Sequence, residues 1–293
     1  PRRSVHVWSS QLSALYSLRI RWGDLATRFV RSVGRPEKKK AWVQLSLGET
    51  YSPDELMTDE DELAKQRGSR GKQPRGLVPK WAKMVSFSCD VQADTLLWKA
   101  VAIGPDEQNH TVDFGTAVEW DELAEVLDRQ YEHADGGDPM QAAVGVLDSS
   151  DGNRTKEIYA FCKKYSRPTR PVYAVKGSSN ELGGKLYRET IIGVTRKART
   201  KTAKQFKGLS LILVATDYWE ETLQGFLESG HSTACQPVIE DRDYLADLLN
   251  ATYAEKTNKR GRTTVLWQKR EPEQPNDRRD SWRYALCGAQ VLL

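Results

Sequence analysis

Three aspartates lie where the pattern of apolar residues should continue or where a buried element should end. Asp90 interrupts the strand-like run VSFSCDVQ, Asp148 follows the apolar run AVGVL, and Asp280 stands at the head of the apolar stripe in NDRRDSWRYALCGAQVLL. Carboxylates within a few ångströms of one another repel, and hard divalent cations with oxygen ligands relieve that repulsion. Two such ions about 3.5–4 Å apart can activate water and stabilise the leaving oxygen of a phosphodiester.

Each aspartate also has a purely structural explanation. Asp148 could form a cap or turn in DSSDGN, and Asp90, which alternates with Ser86 and Ser88, could face solvent on a one-sided sheet. Asp280 and Asp277 could be first-turn acids that interact with the helix dipole. The same helical pattern predicts that Arg279 and Arg283 occupy the opposite, exposed face, available to solvent or nucleic acid.

Positive charge is concentrated in the second half of the chain, although the net charge is only +4. Three runs carry it: residues 195–207, residues 256–262 and the run WQKR. Together they favour a surface for a phosphate backbone over three solvated loops. The candidates for phosphate contacts are Lys176, which follows a predicted strand, and Arg196, Lys197, Arg199, Lys201, Lys204, Lys269 and Arg270.

Several other classes of site lack their motifs. The sequence contains no GxxxxGK[ST], HExxH or GxSxG, so we expect no unaided ATP hydrolysis and no zinc protease or serine hydrolase site. Its four cysteines are widely separated, which predicts buried thiols in a reducing compartment and no zinc site. No apolar run has the length of a membrane span, and the first residues do not resemble a secretion signal.

The order of predicted elements indicates an α/β fold. Residues 1–50 are predicted to be mainly helical and residues 51–80, which are charged and rich in Gly and Pro, a linker. Residues 81–293 begin with three strands joined by hairpin-length connections and continue with alternating strands and helices. Helices are predicted over 121–134 and 242–256, and a final helix packs back on the sheet. This mixed sheet, an antiparallel meander followed by parallel strands, has the element order of ribonuclease H-like domains.

An ordered set of short motifs resembles one known family. The runs SCDVQAD, VLDSSDG, PVYAVKG, VLWQKR and NDRRDSWRYAL occur in the order of the nuclease domain of the large terminase subunit of lambda-type tailed bacteriophages. Residues 5–51, which end on LGETY, look like the segment that closes the ATPase region of that family. The Walker-type ATPase motifs have no counterpart, so the chain looks like a C-terminal part of such a subunit, and DNA translocation by this chain alone is not expected.

The resemblance implies a ribonuclease H-like endonuclease that uses Mg2+ or Mn2+, with two ions expected. By position, the metal-binding acids of the family match Asp90, Asp148 and Asp280, and Asp151 and Asp277 are neighbours that could replace or assist them. The implied substrate is concatemeric viral double-stranded DNA, cut when genome packaging starts and ends. The implied partners are the small terminase subunit and the portal protein, the implied location is the host cytoplasm, and an oligomer is expected only in the assembled motor.

We therefore expect Asp90 and Asp280 to bind one ion and Asp148 to help hold the second. Two other functions remain open from the sequence. One is a non-catalytic DNA-binding or docking module of the packaging motor, in which the acids are structural. The other is a different ribonuclease H-like nuclease of the resolvase or transposase type.

Overall fold

The structure is a computed structural model that describes residues 11–33, 36–49, 51, 59–68, 73–178, 182, 185–194, 200–229, 232–257 and 263–293. Its helices are α1 Trp22–Ser32, α2 Pro36–Trp42, α3 Glu60–Gly68, α4 Trp120–Leu127, α5 Thr155–Tyr165, α6 Lys201–Gln205, α7 Thr216–Ser229, α8 Gln236–Glu240, α9 Arg242–Leu249 and α10 Asp277–Leu292. Its strands are β1 Leu77–Val78, β2 Met84–Val91, β3 Leu96–Ile103, β4 Asn109–Ala117, β5 Glu132–His133, β6 Ala142–Asp148, β7 Val172–Ser178, β8 Tyr187–Ile191, β9 Ser210–Ala215, β10 Ser232–Ala234, β11 Thr252–Thr257 and β12 Thr263–Gln268.

A mixed eight-stranded sheet forms the centre of the molecule, in the order β10-β4-β3-β2-β6-β7-β9-β8. Strands β2, β3 and β4 are an antiparallel meander, as their hairpin-length connections predict. Strands β6, β7 and β9 continue the sheet from β2 in parallel, and helix α5 makes the crossover between β6 and β7. The predicted ribonuclease H-like mixed sheet is confirmed, with β8 and β10 as additional edge strands that the sequence did not suggest.

Helices cover both faces of this sheet. One face packs against α7, α9 and α10, in a core that includes Val146, Trp282 and Ala285. The other face packs against α4 and α5, with Phe87, Leu147 and Ile158 in its core. Because α10 lies between the sheet and other helices, its residues from Ser281 to Ala289 are buried on every side. The amphipathic pattern of α10 predicts one buried face and one exposed face, so it does not predict this burial on all sides.

Two predicted helices are shorter in the structure than in the sequence interpretation. The helix predicted over 121–134 ends at Leu127, and Glu132–His133 forms β5 instead. The helix predicted over 242–256 ends at Leu249, and the chain continues as β11, which pairs with β12 in a separate two-stranded hairpin. The residues after Leu249 include Thr252 and Tyr253, which are β-branched and aromatic and therefore favour a strand.

The stretch predicted as a linker contains a packed helix. Leu63 of α3 is completely buried in the same core as α10, and the guanidinium of Arg67 lies 5.6 Å from the ring centre of Trp282. The division of the chain into segments 1–50, 51–80 and 81–293 stays a prediction. All four cysteines are buried and free, as their spacing predicts. In the parts of the chain that the structure describes, no helix combines the length and the apolar character that crossing a membrane requires.

Candidate active site

Asp90 and Asp148 lie side by side on neighbouring parallel strands. The register pairs Ser88 with Val146 and Cys89 with Leu147, so the next residues along β2 and β6 are the two aspartates. Partners in a ladder point to the same face, and neighbouring strands are about 4.8 Å apart. Val146, two residues before Asp148, belongs to the core under α10, so both aspartates point towards that helix.

Helix α10 lies unusually close to these two strands. The Ser86 hydroxyl donates to the carbonyl oxygen of Ala285 at 2.7 Å, and the hydroxyls of Ser88 and Ser281 are 2.8 Å apart. At Gly288, a Cβ atom would lie only 2.8 Å from Cγ1 of Val146. The small residues of α10 therefore let the helix approach β2 and β6, and this approach brings the first turn of α10, with Asp280, to the strand ends that carry Asp90 and Asp148.

The acids influence one another electrostatically. Burial raises the pKa of Asp90 well above its ordinary range, and the charges of Asp148, Asp280 and Asp277 raise it further. Burial also raises the pKa of Asp280 to about 6, with Glu220 and Asp148 acting in the same direction and Arg283 opposing them. Mutual effects of this kind require the carboxylates to be close together with little water between them.

The hydrogen bonds of the carboxylates fix some of their oxygens and leave others for a ligand. Gln92 donates from Nε2 to Oδ2 of Asp90 at 2.6 Å, and Ser150 donates to Oδ1 of Asp148 from its N–H at 3.1 Å and from its hydroxyl at 2.8 Å. Oδ1 of Asp280 is buried without a hydrogen bond. It forms an ion pair with Nη1 of Arg283 at 3.1 Å, but the direction of the contact is not that of a hydrogen bond.

The two rival acids have different surroundings. Oδ1 of Asp151 accepts from the N–H of Asn153 at 2.8 Å, which is a local turn of the kind that Asp commonly makes. Asp148, not Asp151, is among the charges that raise the pKa of both Asp90 and Asp280. Asp277 is half-buried; burial raises its pKa, and the charges of Lys269 and Arg278 lower it. Its influence on Asp90 ranks below that of Asp280.

The residues present suit a hard divalent cation. Carboxylate oxygens are the preferred ligands of such ions, and the buried Oδ1 of Asp280 accepts no hydrogen bond. Among the described residues, no group of three or more His, Cys, Asp and Glu side chains is arranged to hold a metal ion by itself. Mg2+ commonly takes one or two carboxylates and completes its shell with water and phosphate oxygens, so two carboxylates for each ion would suffice.

The prediction that Arg279 and Arg283 face solvent or nucleic acid is wrong. Arg279 has 0% of its side-chain surface exposed and donates from Nε to Oε2 of Glu220 at 2.7 Å. Arg283 donates from Nη1 to Oε1 of the same carboxylate. Because Glu220 lies on α7, far away in the sequence, the helical pattern of α10 could not show that these two charges are neutralised inside the protein.

The predicted phosphate contacts occupy different places. Lys176 is exposed on β7, but alternation places it on the sheet face opposite Asp148, because Val175 is the register partner of Asp148. Lys269 follows β12 and lies near enough to Asp277 to lower its pKa, and Arg270 is exposed beside it. Lys201 and Lys204 are exposed on α6, on the side of the sheet that α5 covers. Arg196, Lys197 and Arg199 lie outside the described residues.

Three polar residues around the acids were not predicted from the sequence: Gln92, which contacts Asp90; Glu220, which neutralises the two arginines; and Asp247, which contacts the start of α10. Gln92 could have been found, since it follows Asp90 at a spacing of two along a strand and therefore lies on the same face. The other two belong to helices with ordinary amphipathic patterns, and no local signal marks them.

The chain is similar to phage terminase large subunits. No curated protein matches the chain. Among solved structures, the crystal structure of the HK97 bacteriophage large terminase is similar, with 12% sequence identity and a TM-score of 0.33 over 92% of this chain and 51% of that one. The chain thus spans about half the length of that terminase. The family model described as "Terminase large subunit gpA, endonuclease domain" matches residues 8–293. Because this match extends over nearly the whole sequence, the chain belongs to the terminase large subunit gpA endonuclease family.

Proposed function

We propose that this chain is a divalent-metal-dependent endodeoxyribonuclease and serves as the nuclease part of a terminase large subunit. Its substrate would be concatemeric viral double-stranded DNA, cut at the initiation and termination of genome packaging. The observation that carries the proposal is the meeting of Asp90, Asp148 and Asp280, from β2, β6 and α10, where Asp148 raises the pKa of both other acids and Asp280 raises that of Asp90. Family membership supports a nuclease, and the metal dependence rests on the acids themselves.

In this proposal Asp90 and Asp280 bind one Mg2+ or Mn2+ ion, and Asp148 helps to hold a second. When bound, the ions would supply an activated water and stabilise the leaving oxygen of the phosphodiester. Gln92 holds Oδ2 of Asp90 so that its other oxygen keeps a fixed direction. The alternative ligands are Asp277, which lies in the first turn of α10 like Asp280, and Asp151, which lies in the loop after Asp148.

The DNA itself would be held by basic residues around the acids. Lys269 lies near enough to Asp277 to lower its pKa, and Arg270 follows it along the chain. Lys176, Lys201 and Lys204, which lie on the other side of the sheet, would contact DNA away from the acids. Arg196, Lys197 and Arg199 stay predicted phosphate contacts. Binding through phosphate contacts should weaken steeply with salt. In the complete motor, the small terminase subunit and the portal protein are the proposed partners.

Nicking of supercoiled plasmid in Mn2+ tests the proposal, together with calorimetric titration of Mn2+ in the absence of DNA. Asp90→Asn, Asp148→Asn and Asp280→Asn should each reduce nicking by at least about 100-fold, because each loses a charged ligand. Asp138→Asn, an exposed aspartate in a loop, is the matched control and should cut like the parent protein. Asp151→Asn and Asp277→Asn decide the rival assignments in the same assay.

The outcomes separate the other candidate functions. A docking module with structural acids would bind DNA but show neither Mn2+ binding nor nicking that depends on these aspartates. A nuclease of the resolvase type would prefer branched DNA to linear duplex when both are offered. If Asp90→Asn and Asp280→Asn cut as fast as the parent protein, the assignment of the metal ligands is wrong.

A further inference from the structure

The C-terminal end of α9 holds the loop that leads into α10. The side chain of Asn250 is buried and contacts four polar groups of this loop. Its two Nδ2 hydrogens are shared among the carbonyl oxygens of Glu271 at 3.1 Å, Gln274 at 2.9 Å and Pro275 at 3.1 Å, and its Oδ1 accepts from the N–H of Glu271 at 2.7 Å. One side chain therefore fixes three carbonyl groups and one amide of a segment without regular structure.

Asp247 holds the first turn of α10 from the same helix. Its Oδ1 accepts from the N–H groups of Arg278 at 3.0 Å and of Arg279 at 3.3 Å. These amides are normally bonded by the residue that caps the helix, but Asn276 at that position makes no such side-chain bond. The cap of α10 is thus supplied by a residue about thirty positions earlier in the chain.

A third contact approaches the same turn from the sheet. Lys99 on β3 is buried and donates from Nζ to the carbonyl oxygen of Arg278 at 2.7 Å. In the first turn of α10, backbone N–H groups therefore donate to Asp247, and a backbone carbonyl oxygen accepts from Lys99. We call Asn250 and Asp247, with the segments that they bind, the α9 clamp.

The α9 clamp also closes the base of the β11–β12 hairpin. Asn250 lies just before β11, and the residues that it binds come just after β12, with 21 to 25 positions between the bonded groups. The β11–β12 hairpin therefore lies in the sequence between Asn250 and the loop that Asn250 binds, and α10 follows that loop. Displacement of the hairpin would have to break these bonds before it could move Asp277 or Asp280.

Repulsion between carboxylates acts on the segment that the α9 clamp binds. Asp277 and Asp280 belong to the first turn of α10, which the contact between Ser281 and Ser88 holds against β2 beside Asp90, and like charges held this close repel one another. Repulsion between the first turn of α10 and the end of β2 favours movement of that turn away from the sheet. The bonds of the α9 clamp act on this same turn and on the loop immediately before it, which is the part of α10 that the repulsion would displace.

We propose that Asn250 and Asp247 are positioning residues that hold the carboxylates of Asp277 and Asp280 against Asp90 and Asp148, so that divalent cations are bound by a preformed site. This role rests on the proposed metal-dependent nuclease activity. Neither residue would touch the metal or the DNA; both would act through the backbone of residues 271–279. Groups around a metal site that orient its ligands commonly change metal affinity about 10–100-fold when they are lost.

The test compares Asn250→Ala and Asn250→Asp with the parent protein. Asn250→Asp has nearly the same shape and keeps an acceptor for the N–H of Glu271, but it loses the donors to three carbonyl groups. Both variants should raise the dissociation constant for Mn2+, measured by calorimetry without DNA, by about tenfold or more. In both, hydrogen exchange of the amides of residues 278–281 without metal should become at least about tenfold faster.

Leu123→Ala is the control for a general loss of stability, since Leu123 is buried on α4 against the opposite face of the sheet. At temperatures where it is as fully folded as the Asn250 variants, it should keep the Mn2+ affinity and the slow exchange of residues 278–281. The proposal is overturned if Asn250→Asp binds Mn2+ like the parent protein, or if Leu123→Ala loses as much affinity. If the parent protein itself binds no Mn2+, the proposed function fails and the positioning role fails with it, and exchange then reports only on the clamp.

Discussion

Asp90 and Asp148 extend the ladder between β2 and β6 as adjacent residues on one face of the sheet, and α10 closes over that face. Two acids in this position would ordinarily be separated by water or paired with a cation. Here the nearest cation to the group, Arg283, contacts Asp280 and is already shared with Glu220. The uncompensated negative charge is what makes a divalent cation the fitting ligand, and it also makes the protein's stability depend on pH.

Replacement of Asp280 by Asn should stabilise the protein at neutral pH when metal is absent. The folded protein raises the pKa of Asp280 from its ordinary 3.8 to about 6, so the folded state binds more protons than the unfolded chain between these values. The free energy of unfolding therefore falls as pH rises through this window, by at most about 3 kcal/mol from this group. Urea unfolding in EDTA from pH 4 to pH 8 should show a smaller fall for Asp280→Asn than for the parent protein. If the free energy of unfolding changed equally with pH in both proteins, the raised pKa of Asp280 would be contradicted.

Replacement of Gln92 by Ala should weaken metal binding without loss of fold. The side chain donates to Oδ2 of Asp90 at 2.6 Å, and without this bond the carboxylate can rotate. We expect Mn2+ affinity and plasmid nicking to fall about tenfold or more, with little change in the midpoint of thermal unfolding. Gln141→Ala is the control, because Gln141 bonds only the carbonyl oxygen of Asp128 at the surface. Equal Mn2+ affinity in the two variants would remove Gln92 from the site.

Replacement of Gly288 by Ala should push α10 away from the sheet. The new methyl group would lie 2.8 Å from Cγ1 of Val146 and 3.3 Å from the hydroxyl oxygen of Ser86. Overpacking of this kind costs about 1–3 kcal/mol of stability, and the displaced helix should also lose nicking activity. Gly23→Ala serves as the comparison, since nothing lies within 4 Å of the added atom. Urea unfolding checks the free energy, and unchanged stability in Gly288→Ala would show that α10 is less closely packed than described.

Replacement of Glu220 by Gln should destabilise the protein strongly at neutral pH. The change leaves Arg279 and Arg283 buried with less negative charge around them, and the loss of one partner of a buried ion pair costs about 3–5 kcal/mol. The exposed pair of Lys65 and Glu62, 4.0 Å apart, provides the control. Glu62→Gln should change the free energy of unfolding by no more than about 0.5 kcal/mol. Similar effects of the two substitutions would mean that Glu220 is not buried as described.

The meander and the parallel strands could be predicted because their information is local. Alternation in VSFSCDVQ places Ser86, Ser88 and Asp90 on one face, and hairpin-length connections force β2, β3 and β4 to be antiparallel. The helix predicted over 242–256 is present as far as Leu249 and wrong beyond it, because the bonds of Asn250 to the loop before α10 end the helix there and the chain continues as β11.

The sequence by itself determined that Asp90, Asp148 and Asp280 lie towards the ends of buried elements, because the apolar periodicity that shows this is contained in each single segment. Only the tertiary structure decided how those ends meet, since the register of β2 with β6 and the approach of α10 depend on contacts between distant segments. The same holds for Arg279 and Arg283. Their pattern predicts an exposed face, and they are buried because Glu220 on α7 supplies the opposite charge that makes their burial possible.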